Sequence, residues 1–96
     1  MSLSSLQATD FEPYVGKDFA LQAAGQQFSF KLMQVEQLGT ALREGGAFSL
    51  LFASAPGPFL PQAIYPIVHP DLGTLELFVV PLGPRDGSNQ YQVIFT

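Results

Sequence analysis

Leu60-Pro61-Gln62-Ala63-Ile64-Tyr65-Pro66-Ile67-Val68-His69-Pro70-Asp71-Leu72-Gly73-Thr74-Leu75-Glu76-Leu77-Phe78-Val79-Val80 reads as two strands around one tight turn. Pro70-Asp71 suits the centre of that turn, since proline fixes φ and aspartate can bond its own backbone, and Gly73 supplies freedom before the second strand. Leu75, Leu77 and Val79 alternate with Glu76, Phe78 and Val80, the period of a pleated strand, and Glu76 should face water. Pro66 has no N–H to give to a ladder, which places the first strand at a sheet edge or a bulge.

The same period runs outward from this hairpin in both directions. Phe19, Leu21 and Ala23 alternate with Ala20 and Gln22, and Ala24-Gly25-Gln26 makes a turn. Phe28, Phe30 and Leu32 alternate with Ser29 and Lys31. After Leu32 the phase slips so that Met33 and Val35 become the apolar positions, and a β-bulge or bend near Met33 accounts for it. Phe48, Leu50 and Phe52 form a further strand, stopped by Ala55-Pro56-Gly57-Pro58. Pro81-Leu82-Gly83-Pro84-Arg85-Asp86-Gly87-Ser88-Asn89 reads as a polar loop of turn formers, after which Tyr91, Val93 and Phe95 alternate with Gln90, Gln92 and Ile94. Thr9 and Glu12 have capping-box spacing, with Pro13 limiting that helix to about one turn. Leu38, Ala41 and Leu42 have helical spacing weakened by Gly39, so 38–45 is either a helix or a loop. Six short strands predict an all-β domain, a mostly antiparallel small barrel or sandwich, over residues 9–96, with 1–8 as a flexible N-terminal arm.

Composition narrows the activity. Ninety-six residues fit one domain, and the chain has no cysteine, which removes disulfides, thiol nucleophiles and cysteine metal sites. Charged residues are 12% of the chain against a 47% hydrophobic share, so the surface must be built largely from Gln, Ser, Thr, Gly and Pro. The net charge is −4, and Lys17, Lys31, Arg43 and Arg85 are scattered. Nucleic-acid binding needs cations aligned on phosphates, and an anionic membrane surface needs a basic cluster; neither partner is expected. Met1 to Ala8 lacks the basic start and apolar centre of a signal peptide, which predicts a cytoplasmic protein, or one exported or packaged without a cleaved signal.

Chemistry has few places to reside. His69 is the single histidine and stands before a proline turn, where a strand-end imidazole commonly bonds a backbone group. Its functional alternative is a general base acting with Asp71, but no Ser or Thr stands out as nucleophile. Asp86-Gly87-Ser88-Asn89 lacks the ligand spacing and distal glutamate of a calcium loop. No catalytic, metal or cofactor site is expected, and His69 with Asp71 forms the one polar site worth following. The outward parity, by contrast, is apolar at Leu51, Phe78, Val80 and Ile94. Strands apolar on both faces are either covered by the domain's own helix and loops or offered to a partner. A C-terminal strand ending at Phe95-Thr96, read as an open edge, would favour the partner.

Asp10-Phe11-Glu12-Pro13-Tyr14-Val15-Gly16, Phe48-Ser49-Leu50-Leu51-Phe52, Leu60-Pro61-Gln62 with Ile64-Tyr65, His69-Pro70, Leu72-Gly73, the run Leu77 to Pro84 and the terminal Tyr91 to Phe95 together resemble a family of small bacterial β domains of unknown function. The resemblance implies a compact barrel-like fold with no assigned activity. Similar domains beside genes for phage tail-collar-like proteins imply a structural or assembly role. The reading is therefore a non-enzymatic structural or protein-interaction module that self-associates or docks onto a protein partner. A barrel holding a small apolar ligand in its mouth is the alternative, and an enzyme using His69 stands third.

Overall fold

In the computed structural model, which describes residues 7–23, 25–39, 47–54, 60–85 and 87–95, the chain is a closed six-stranded antiparallel barrel. A short helix α1 (Ala8–Phe11) and a 3-10 turn (Glu12–Tyr14) precede β1 (Asp18–Ala23), β2 (Gln26–Gly39), β3 (Ala47–Ser54), β4 (Ala63–His69), β5 (Gly73–Arg85) and β6 (Ser88–Phe95). Around the barrel the order is β1-β2-β3-β6-β5-β4, closing back onto β1.

Two long strands make closure possible. β2 pairs with β1 from Gln26 to Lys31 and with β3 from Lys31 to Gly39, so it leaves one neighbour for the next. β5 does the same, pairing with β4 from Gly73 to Val79 and with β6 from Val80 to Arg85. β2 carries a register shift between Leu32 and Gln34 as it changes partner, the bend expected near Met33. Met33 itself does not turn inward. It is the extra residue of the bulge and 45% exposed, while Val35 packs against the core.

Several local expectations are corrected. The residues from Pro81 to Asn89 are not a loop: β5 continues to Arg85, and β6 begins at Ser88. Pro81 and Pro84 are tolerated because β5 beyond Val79 has β6 alone as partner, and Gly83, at φ 105, absorbs the irregularity between Pro81 and Gly83. The barrel has no open C-terminal edge, since β6 lies between β3 and β5. Pro66 sits in a closed barrel rather than on an edge strand; β1–β4 pairing ends at Leu21↔Ile67, one residue before it. Leu38 belongs to β2, not to a helix, and 40–46 lie outside the described residues, as do the breaker at 55–58 and Asp86. At the N-terminus the helix starts two residues earlier than Thr9 implies. The Gln7 N–H donates to Asp10 Oδ2 at 2.8 Å, because Pro13 leaves too little helix after Thr9 for the later cap. Ala8, the last residue of the expected arm, opens α1 and is buried.

The interior is a line of rings. Phe19 meets Phe52 edge-on at 5.5 Å, Phe52 meets Phe30 at 5.8 Å, and Phe30 stacks on Tyr91 at 4.8 Å. Phe48 and Phe95, cross-strand partners, stack at 4.4 Å, and Phe11 from α1 leans on both at 5.8 Å. Small barrels fill with side chains in this way, and α1 plugs the end that Phe48 and Phe95 would otherwise leave open. Toward the other end, the buried Leu60 N–H donates to the Tyr91 hydroxyl at 3.1 Å, fixing the chain that enters β4.

Candidate functional site

His69 ends β4, and the loop Pro70–Leu72 returns the chain to Gly73, its partner in the ladder. Gly73 has φ 79, the left-handed conformation that a three-residue hairpin loop requires at this point. The loop brings the Asp71 N–H onto His69 Nδ1 at 3.0 Å. A nitrogen that accepts is unprotonated, so this bond holds the imidazole as its Nε2–H tautomer. The ring is buried between Tyr14, 4.4 Å away and edge-on, and Phe19 at 4.7 Å. The Tyr14 hydroxyl donates to Asp71 Oδ2 at 3.3 Å. Partial withdrawal from water, then the Asp71 charge and hydrogen bond, raise the Tyr14 pKa above the ordinary 10.0.

His69 and Asp71 are thus brought together, but through the Asp71 backbone rather than its carboxylate. The turn aspartate does not bond its own backbone as expected; its carboxylate reaches the N-terminal 3-10 turn. The arrangement ties three pieces of chain, β4, its hairpin loop and the N-terminal plug, and aims Nδ1 at a peptide rather than at open space. Among the described residues no three His, Asp or Glu side chains group to hold a metal, and no buried polar side-chain atom lacks a partner.

The apolar outward positions lie elsewhere, around the long strand β5. Phe78 is 48% exposed and pairs directly with Ile64 of β4, which is 64% exposed. Val80, half-buried, pairs with Gln92 of β6, which in turn pairs with the half-buried Leu51 of β3. Ile94, 48% exposed, lies two residues further along β6 opposite Ser49. The four sequence candidates therefore occupy three consecutive strands of the ring, β3, β6 and β5, and Ile64 on β4 extends the row so that it wraps half of the barrel.

Ile64 is the member that sequence reasoning missed. Ile64 and Phe78 each stand seven residues from Asp71, so a hairpin symmetric about that residue makes them partners. Pro66 drew attention to the strand's edge and away from its outward parity. Where β1 pairs with the first half of β2 the outer surface is polar and small, with Asp18 facing Lys31, Ala20 facing Ser29 and Gln22 facing Gln27; further along β2, Met33 and Leu38 are again exposed. A shallow groove of about 440 Å³ runs over Ala20 and Ser29, bordered by Val68.

Fold and surface define a small closed antiparallel β-barrel, plugged at one end by α1, with an apolar outer stretch centred on β5 and a polar one over β1 and the first half of β2. Residues 6–95 match the family described as Domain of unknown function (DUF6916), and the chain belongs to that family. No curated protein and no solved structure matches it. Among the described residues, no helix is long and apolar enough to cross a membrane.

Proposed function

We propose that this domain is a non-enzymatic protein-interaction module that docks through the outer side of β4 and β5, with β6 and β3 extending the surface. The observation that carries the reading is the Ile64–Phe78 pair: two large apolar side chains, directly opposed across a ladder, that the domain leaves about half or more in water. Cross-strand apolar pairs normally contribute to a sheet by packing under a layer, which on this reading a partner supplies. The setting proposed for it is the cytoplasm, and the family resemblance adds a bacterial phage-tail-like assembly.

Competing readings draw less support. A ligand-holding barrel needs an interior space, but Phe30, Phe52, Tyr91 and Leu50 fill the centre and are fully buried. An enzyme using His69 needs a free Nδ1 or an approachable ring, and Asp71, Tyr14 and Phe19 occupy both. A photo-reactive amino acid at position 78 tests docking in cells, with Gln22 on the polar side as control. Adducts at 78 and none at 22 are expected. Equal labelling, or none at either position, would remove the proposal.

A further inference from the structure

We infer that Ile64, Pro66, Phe78 and Glu76 form a receiving site for an arginine presented on an apolar segment of a partner protein; this rests on the docking reading above. Ile64↔Phe78 and Pro66↔Glu76 are consecutive outward pairs of the β4–β5 ladder, so the four side chains stand at the corners of one small square. One edge is the cross-strand spacing, roughly 5 Å, and the other is two residues along a strand, roughly 7 Å. Three corners are apolar, namely an exposed ring, an exposed aliphatic chain and a half-buried proline, and the fourth is an exposed carboxylate. Glu76 is flanked along β5 by Thr74 and Phe78 and faces Pro66, and none of these neighbours is a cation. Of the described cations, Lys17 precedes β1, Lys31 lies on β2 and Arg85 ends β5.

The carboxylate decides what can cover the ring. A partner seated on Phe78 crowds Glu76, and an acid drawn out of water with no cation beside it is penalised. A neutral apolar partner therefore loses at Glu76 part of what it gains at Phe78. An acidic partner is repelled, the more so because the chain carries a net charge of −4. A cation is held twice, by the carboxylate and by the face of the ring. Arginine meets both at once: its planar guanidinium can lie on Phe78 while its N–H fork reaches Glu76, and its methylene stem lies along Ile64 or Pro66. Lysine concentrates its charge on one strongly hydrated point and cannot do both. Beyond the square, the exposed Ile94 and the half-buried Val80 and Leu51 give the rest of the segment an apolar track. A second exposed acid, Glu36, borders the far end of that track, opposite the Ser49 that faces Ile94. The patch is small, so the encounter is a transient one.

Short peptides titrated into the purified chain to about 10 mM test the site, with backbone amide NMR shifts as the readout. The probes are acetyl-Leu-Arg-Leu-amide and the same peptide with lysine or glutamine at its centre. The arginine peptide should bind at least about tenfold more tightly than the glutamine peptide, with lysine between them and the shifts centred on Ile64, Glu76 and Phe78. Glu76→Gln should abolish the difference, and raising salt from about 50 to 500 mM should shrink it. Asp18→Asn, which removes the same charge from the polar surface, should leave it intact. The site is overturned if no peptide shifts these amides, if arginine binds no better than lysine or glutamine, or if Asp18→Asn acts as strongly as Glu76→Gln. Photo-adducts at 78 alongside any of those results keep docking and reject the arginine; no adducts at 78 rejects both.

Discussion

Tyr14 shows how little sequence pattern says about a single side chain. In the chain it stands after a proline in a short turn, with no periodicity to assign it; in the barrel it covers His69, touches Phe19 and donates to Asp71. Its raised pKa has a consequence for stability. The folded state favours the neutral phenol, so the contribution is complete below the ordinary 10.0 and is lost as pH climbs through the raised value. Denaturant midpoints measured at about pH 9 and pH 11 should fall more steeply for the natural chain than for Tyr14→Phe, which has nothing to titrate there. Parallel falls would show that the Asp71 contact does not persist in solution. Tyr91 makes the complementary point. Its alternation with Gln90 and Gln92 marks it as core, but the bond from the Leu60 N–H, thirty-one residues away, exists only once the barrel closes.

Among elements, β1, β3 and the β4–β5 hairpin were legible because each has one inward and one outward face over its whole length, and period 2 then suffices. β2 and β5 were half legible. Each changes partner midway, and the bulges that allow it break the period: Met33 looks inward by pattern and lies outside, and Pro81 to Arg85 looks like a loop because two prolines sit where the strand has lost a neighbour. The apolar outward positions Leu51, Phe78, Val80 and Ile94 were readable from parity, but Ile64 required register, which depends on the turn. The plug is the element least visible in sequence, four helical residues whose purpose is to deliver Phe11 to the Phe48–Phe95 stack. Phe11 is fully buried, and Phe11→Ala should cost about 3 to 5 kcal/mol, the usual range for a core phenylalanine. Urea unfolding followed by circular dichroism reads this directly; a loss below about 1 kcal/mol would mean that the barrel closes without its plug.

At the scale of the whole molecule, closure is uneven. β3 shares seven register pairs with β6 and seven with β2, and β4 shares seven with β5, but β1 and β4 are joined by two, Ala20↔Val68 and Leu21↔Ile67. Pro66 ends that seam on one side because it has no N–H to continue it. The rest of the barrel is one continuous curved sheet running β1-β2-β3-β6-β5-β4, and a sheet can exist with its two end strands apart. Opening at the β1–β4 seam therefore breaks few backbone bonds and, for the length of β1, leaves the Phe30–Tyr91 and Phe48–Phe95 stacks untouched. Opening anywhere else breaks a full ladder. Native-state hydrogen exchange should show the seam amides of β1 and β4 exchanging through a sub-global opening, at least about 100-fold faster than the β3–β6 amides and with weaker denaturant dependence. The His69 cluster lies at this same seam, with Phe19 on β1 and His69 on β4, so Tyr14→Phe should speed exchange there and leave β3–β6 protection unchanged. Identical exchange across all six strands would show instead that the rings of the core bind the barrel into one cooperative unit, and that the two-pair seam is closed by packing rather than by its ladder.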